Sequence, residues 1–218
     1  MNTDLLDFLK DLKDNNNREW FQANKPRYEK ARRTFETFVD DLIPRIREID
    51  PQIDMITAKD CVFRIYRDVR FSSDKSPYKP NMGAYIARGG KNSQMAGYYV
   101  HFEPGGCFLA GGLYMPQPEI LRRLREEIYF QPEEFKKIIL DKEFLNCFGM
   151  IEDSGKMKNP PKGFSKDFPD IELLKYRSYA VMHNVSDEIT LRNDYLEYSA
   201  KVFGLLYPLN VYFNRLFR

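Results

Sequence analysis

Apolar residues near the start of the chain recur with the period of a helix. In TDLLDFLKDLKDNNN the residues Leu5, Phe8, Leu9 and Leu12 form one apolar face of a predicted helix. Thr3 is expected to cap this helix, and the asparagine run is expected to end it. From Pro26 a second apolar stripe continues to Ile49, which predicts a long amphipathic helix. Pro44 predicts a bend in that helix, because proline removes a backbone hydrogen-bond donor.

The middle of the chain changes to a strand-like alternation. Four short runs rich in aromatic and β-branched residues predict an antiparallel sheet: residues 61–67, 82–87, 98–102 and 107–114. The clearest hairpin is YYVHFEPGGCFLAGGLYM, in which Pro104, Gly105 and Gly106 supply a tight turn. Gly111 and Gly112 lie within its second strand and indicate either a bulge or a close approach of backbone or ligand.

The C-terminal part returns to helical spacing. Residues 118–148 predict two helices that each begin with proline, and residues 151–169 predict a loop. The segment SYAVMHNV predicts a further strand, after which Ser186 is expected to cap a last helix that Pro208 breaks. These elements predict one α+β domain over residues 1–218, with a mainly antiparallel central sheet covered by N-terminal and C-terminal helices.

Composition narrows the class of protein without naming a function. The 218 residues are 43% hydrophobic, enough to bury a sizeable core. With 34 basic and 32 acidic residues the net charge is only +2, so no global field steers the chain to nucleic acid or to an anionic membrane. Cys61, Cys107 and Cys147 are odd in number and widely spaced, which favours reduced thiols. Charges within the first apolar stripe exclude a signal peptide or membrane span there, so we expect a cytoplasmic protein.

The stretch FRIYRDVRFSSDKSPYKPNMG concentrates charge among apolar residues. If it begins as an extended segment, one face carries Val62, Arg64, Tyr66, Asp68 and Arg70. The other is the natural core face and carries Cys61, Phe63, Ile65, Arg67, Val69 and Phe71. The turn formers and prolines that follow predict a well-defined loop bearing Asp74, Lys75, Tyr78 and Lys79.

Arginine, lysine and tyrosine together suit an oxyanion ligand, because arginine presents a planar fork of donors and lysine a point charge. Arg64 and Arg70 would hold the anion. Lys75 and Lys79 would neutralise it, and Tyr78 would orient it. We therefore predict a site for a small phosphorylated or carboxylated ligand, with these candidate ligand-binding residues: Arg64, Arg67, Arg70, Asp74, Lys75, Tyr78, Lys79 and His101.

The alternative is that the same charges brace the fold. The arginines would pair with Asp68 and Asp74 in a structural network, and the chain would act as a non-enzymatic interaction protein. Nucleic acid is a weaker alternative, because the basic and aromatic mixture is interleaved with aspartates and the total charge is near neutral. The sequence names neither a cofactor nor a reaction, so we assign no catalytic residue.

His101 is the one obvious proton carrier in the predicted sheet. Alternation places Tyr99 and Glu103 on its face, so His101 is either a general base or a histidine satisfied by one hydrogen bond. Trp20 and Phe21, in NNNREWF after a capping Asn17, form either a docking surface or the anchor of a short helix. Only two histidines occur and no cysteine pair has zinc spacing, so we predict no metal site.

Three motifs carry a family resemblance. NNNREWF, RIYRDVRFSSDKSPYKPNMG and YYVHFEPGGCFLAGGLYMP resemble an uncharacterised family of bacterial and fungal proteins, domain of unknown function 2461. The resemblance covers most of the chain and its long middle motif is fairly specific. It implies an intracellular protein with one α+β domain. It implies no established activity, cofactor or catalytic residue.

Overall fold

The computed structural model describes residues 3–70, 72–151 and 155–217. Its fold is α+β, as predicted, with one antiparallel sheet in the order β1-β2-β3-β4: Met82–Ile86, Gly97–Phe102, Cys107–Leu113 and Tyr179–Val185. The helices α1 to α10 are Asp4–Asp14, Arg18–Ala23, Lys25–Ile49, Ala58–Cys61, Pro118–Phe130, Pro132–Ile139, Lys142–Phe148, Ile171–Leu174, Asp187–Thr190 and Tyr195–Asn214. Phe71, predicted on the core face, and residues 152–154 of the predicted loop lie outside the described residues.

The long helices α3 and α10 pack against one face of the sheet. Phe102 of β2 makes edge contacts with the rings of Phe35 and Phe38 in α3, and Tyr98 packs in the same way against Phe203 in α10. The stripe predicted from Pro26 to Ile49 is therefore the core face of α3. The opposite face of the sheet is partly open, with Met182 exposed.

Helix α10 approaches the sheet closely at the start of β2. Asn210 donates from Nδ2 to the carbonyl of Gly97 (3.1 Å), and Asn214 both accepts from the amide of Ala96 (2.8 Å) and donates to its carbonyl (3.1 Å). A Cβ on Gly111 would lie 2.1 Å from Leu206 Cδ2 and 2.4 Å from the carbonyl oxygen of Gly97. Of the two alternatives for Gly111, a bulge or a close approach, the structure shows the close approach.

The predicted first strand over residues 61–67 is wrong. Thr57 and Asp60 form a capping box that begins helix α4, and the helix continues through Cys61. The chain then runs extended along the outer edge of β1, with a bridge between Val62 and Ala84 and only isolated backbone hydrogen bonds. Phe63, expected on the core face, is 39% exposed, because the segment lies beside the sheet rather than within it.

Two expectations for the C-terminal part are also wrong. Residues 118–148 form three helices, because Asp141 accepts from the amides of Glu143 and Phe144 and starts α7. Ser186 precedes only the short α9, while α10 runs through Pro208 to its end. An interior proline costs about 3 kcal/mol, and the apolar side chains buried on both sides of it offset that cost: Val202, Phe203, Leu206, Leu209, Tyr212 and Phe213.

The close contact of α10 with the sheet makes Gly111→Ala destabilising. We expect a loss of about 3 kcal/mol in the free energy of unfolding, because the new Cβ would overlap a backbone oxygen that cannot move alone. Urea denaturation measures this change in the free energy of unfolding. The matched control is Gly204→Ala within α10, whose Cβ would meet nothing closer than Ile49 Cδ1 at 4.0 Å and should add up to about 1 kcal/mol. Equal effects of the two substitutions would contradict this account of the packing.

Candidate functional site

A stacked pair of rings fixes the charged stretch to the body of the protein. The ring of Tyr78 lies 3.9 Å from that of Phe21 at an interplanar angle of 12°, and both side chains are buried. Asn16 donates to the carbonyl of Tyr78 (2.9 Å) and accepts from its amide (3.1 Å). Asn17 caps α2 as predicted, accepting from the amide of Trp20. Phe21 is thus an anchor for α2, and Tyr78 is a core residue.

A pocket of about 430 Å³ opens where this stretch passes α3. We call it the edge pocket, because it lies at the outer edge of β1, beside the segment 62–66. Its walls are residues of the first turns of α3, the extended segment 62–66, Lys59, Met82 and the turn at residues 91–92. Its charged residues are the cations Arg32, Lys59, Arg64 and Lys91 and the single carboxylate Glu36.

The one carboxylate of the edge pocket is already engaged. Glu36 accepts from Nε of Arg32 (2.9 Å) and its Oε1 lies 2.9 Å from Nη2, and the hydrogen bond raises the pKa of Arg32. Lys91 donates from Nζ to the carbonyl of Lys59 (2.7 Å). Within the described residues Arg64 has no hydrogen-bond or ion-pair partner for its side chain. The pocket therefore holds an excess of positive charge.

Lys79 lies next to this wall. Its Nζ is 5.8 Å from the ring centroid of Phe63, which lines the pocket. Burial lowers the pKa of Lys79, and the positive charge of Arg64 lowers it further. Arg64 and Lys79 are the two predicted site residues that the structure brings together here.

Ion pairs at the surface join residues 67–70 and 72–76 of the charged stretch, which we call the tip. Arg67 pairs with Asp74, and Asp74 also accepts from the amide and hydroxyl of Ser76 (2.8 and 2.6 Å). The Ser76 hydrogen bonds, and after them Arg67, lower the pKa of Asp74 to about 2. Both partners of the ion pair remain partly exposed, so their attraction is screened by water.

Arg70 and Lys75 lie at the same exposed tip. Arg70 donates to both carboxylate oxygens of Asp68 (2.9 and 2.6 Å), and Lys75 donates to the carbonyl of Val69 (3.0 Å). Neither residue is among those that line the edge pocket. The predicted cluster is therefore divided among the pocket wall, the tip and the core.

Three cations of the pocket were missed by sequence reasoning: Arg32, Lys59 and Lys91. Arg32 had the only usable signal, a place on the polar face of the predicted long helix. The other two lie in short helical segments, α4 and the 3-10 turn Gly90–Asn92, whose positions depend on the tertiary fold. Their spacing in the sequence carries no motif that indicates a shared site.

His101 lies apart from the pocket, on the partly open face of the sheet. Its Nδ1 is 3.0 Å from the Tyr99 hydroxyl and its Nε2 is 3.1 Å from Glu103 Oε2, so both ring nitrogens have partners. Phe108 stacks on the imidazole at 4.4 Å. Gly83, opposite His101 in the register, leaves room for the Tyr99 hydroxyl.

The charge state of His101 follows from this enclosure. Burial lowers the pKa of His101, and the hydrogen bond and charge of Glu103 oppose the shift without reversing it. A neutral ring with its proton on Nε2 satisfies both neighbours, because Nε2 then donates to Glu103 and Nδ1 accepts from Tyr99. Burial also raises the pKa of Tyr99 to about 12. Both contacts fit a satisfied histidine.

The thiols are protonated and buried or half-buried. Burial raises the pKa of Cys61 and of Cys107 to about 12, and that of Cys147 to about 11. In the part of the chain that the structure describes, no group of three or more His, Cys, Asp or Glu side chains is arranged to hold a metal ion. No helix among the described residues is long and apolar enough to cross a membrane.

The fold and the edge pocket define an α+β protein with a cationic pocket at the edge of an antiparallel sheet. A family model for a conserved hypothetical protein, DUF2461, matches residues 4–212, and the chain belongs to that family. No curated protein and no solved structure matches the chain. That family description names no activity, so the residues of the edge pocket carry the information about function.

The lowered pKa of His101 predicts how stability depends on pH. The unfolded chain, with a histidine pKa of about 6.5, binds more protons on acidification than the folded protein does. The contribution of His101 is therefore complete above about pH 6.5 and is lost as the pH falls below it. We expect the unfolding free energy of the parent, relative to His101→Gln, to decrease between pH 7.5 and pH 5.

Urea midpoints at several pH values measure this difference, and an NMR titration of the His101 ring gives the pKa directly. His183 supplies a second ring in the same spectra for comparison. A His101 pKa above 6.5, or a parent that gains stability over His101→Gln on acidification, would contradict the argument.

Proposed function

We propose that the chain binds a small phosphorylated or carboxylated ligand in the edge pocket. The observation that carries the proposal is Arg64, an arginine on the pocket wall whose guanidinium has no hydrogen-bond or ion-pair partner among the described residues. It stands with three further cations around one carboxylate that Arg32 already engages. An oxyanion would supply the missing negative charge.

Electrostatics favour an anion over a neutral ligand. Four like charges around one pocket repel one another, and an anion bound between them adds an attraction to each that offsets this repulsion. The guanidinium of Arg64 offers a planar fork that matches two oxygens of a phosphate or carboxylate. Lys59 and Lys91 add compact positive charges that neutralise the remaining oxygens. The ion pair with Glu36 orients Arg32 without cancelling the excess charge.

The other predicted site residues take different roles in this proposal. The ammonium of Lys79 lies 5.8 Å from the ring centroid of Phe63 and adds to the positive potential of the pocket. Tyr78 fixes the backbone of the loop from within the core. Arg67, Arg70, Asp74 and Lys75 hold the exposed tip. His101 is not among the residues that line the edge pocket, so the proposal includes binding and no proton transfer.

One observation favours the alternative of a non-enzymatic interaction protein. At the tip, Arg67 and Arg70 are engaged by Asp74 and Asp68, as a structural network would require. Those pairs are exposed, and exposed pairs contribute only about 0–1 kcal/mol each, so they shape the loop more than they stabilise the fold. The alternative gives Arg64 only a longer-range interaction with Asp68, whose pKa the charge of Arg64 helps to lower after the hydrogen bonds from Arg70.

We also propose a cytoplasmic location. Cys61, Cys107 and Cys147 are all free thiols in the structure. Free cysteines are typical of a reducing compartment, where disulfides do not persist. Oxidation state in a cell extract, measured by thiol alkylation before lysis, tests this proposal.

Arg64→Ala tests the anion site. In thermal unfolding, a phosphorylated or carboxylated compound that occupies the pocket at about a hundred times its Kd should add roughly 2.7 kcal/mol, or several degrees in Tm. The screen contains inorganic phosphate, sugar phosphates, nucleotides and citrate, each against KCl of equal ionic strength. Arg64→Ala should weaken the binding of any hit by about 10- to 100-fold, because a charge-assisted hydrogen bond is lost.

The matched control is Arg47→Ala, which removes the same charge from the far end of α3, outside the pocket. It should leave binding unchanged. A response no larger than that to KCl, or equal losses in Arg64→Ala and Arg47→Ala, would exclude a specific anion site and favour the interaction protein.

A further inference from the structure

Two exposed aromatic rings flank Arg64 on the wall of the edge pocket. Phe63 is 39% exposed and Tyr66 is 50% exposed, and both line the pocket. Tyr28, half-buried on α3, adds a third ring. Large exposed apolar groups gathered at one concave place, with polar groups among them, are typical of a ligand site.

The exposed rings are held in place from behind. The Tyr66 ring contacts those of Tyr78 (5.4 Å) and Phe21 (6.3 Å), which belong to the buried stack. The Phe63 ring lies 6.3 Å from that of Tyr99 and within 5.8 Å of the Lys79 ammonium. Rings fixed in this way lose little freedom when a flat ligand stacks on them, which favours binding.

We infer that the ligand of the edge pocket is a nucleoside monophosphate; this inference rests on the proposed anion site. The phosphate lies against Arg64 and the neighbouring lysines, and the base stacks on Phe63 or Tyr66 beside it. Asn92, also on the wall, offers both a donor and an acceptor to the edge of a base. The volume of about 430 Å³ is within the range of pockets for small organic ligands.

The aromatic wall distinguishes this ligand from simpler anions. Inorganic phosphate or a small carboxylate would use the cations and leave the rings in water. A nucleoside would use the rings and leave Arg64 without an anion. A single-stranded nucleic acid would need a positive track beyond the pocket, whereas Arg67 and Arg70 at the tip are engaged by carboxylates and the net charge is +2.

Calorimetric titration with AMP, ribose 5-phosphate, inorganic phosphate and adenosine separates these contributions. AMP should bind roughly 5- to 150-fold more tightly than ribose 5-phosphate, which is the range for stacking one base on an aromatic side chain. Tyr66→Ala and Phe63→Ala are tested separately. At least one of them should reduce the affinity for AMP to that for ribose 5-phosphate and leave ribose 5-phosphate unchanged.

Tyr66→Phe keeps the ring and should retain AMP binding, which guards against a packing defect in Tyr66→Ala. Tyr114→Ala removes an aromatic side chain that is 77% exposed and outside the pocket, and should change nothing. Equal affinities for AMP and ribose 5-phosphate would contradict the inference of a nucleotide ligand and would still support the anion site. Absence of binding by every phosphate would overturn both.

Two other outcomes would contradict the inference of a nucleotide ligand without contradicting the anion site. If AMP binds more tightly than ribose 5-phosphate and neither ring deletion matters, the base lies elsewhere. If a single-stranded oligonucleotide binds more tightly than AMP, the ligand is nucleic acid.

Discussion

The outer edge of β1, which no described strand pairs with, is the constraint on which the rest of the site depends. An edge strand presents unpaired amides and carbonyls that invite pairing with another chain, and proteins cover or disrupt such edges. Here the segment after α4 lies along the edge, through the bridge of Val62 with Ala84 and the hydrogen bond from the amide of Phe63 to the carbonyl of Gly83 (2.9 Å). The whole segment 62–66 lines the edge pocket, with Ile65 buried at its base and Arg64 exposed.

The return of the chain is as important as its passage along the edge. The amide of Lys79 donates to the carbonyl of Ile65 (2.8 Å), so the two ends of the charged loop are joined. The stacking of Tyr78 on Phe21 then ties the loop to α2. Since the anchor is apolar and the ion pairs are at the exposed tip, the position of the loop depends on burial far more than on its charges.

The sequence predicted those features that depend on local periodicity. The apolar stripe of α3 and the hairpin of β2 and β3 follow from spacing and turn residues, and both occur in the structure. The supposed first strand failed because α4 includes Cys61 and the extended residues after it make only isolated bridges and hydrogen bonds. The prediction that Pro208 ends the last helix failed because buried side chains on both sides of it stabilise α10. The pocket cations could not be predicted, since Lys59 and Lys91 meet Arg64 only through tertiary packing.

The edge pocket brings an arginine without an ion-pair partner among the described residues and exposed aromatic side chains into one place. Elsewhere the paired arginines have carboxylates beside them, and His101 has a partner for each ring nitrogen. In the pocket, Arg64 lacks a described ion-pair partner while two aromatic side chains stay exposed. Arg64 is exposed and keeps its hydration, so the exposed rings are the feature that departs from ordinary burial. One ligand that carries both negative charge and a flat apolar surface would contact the cation and the rings together, which a structural brace would not.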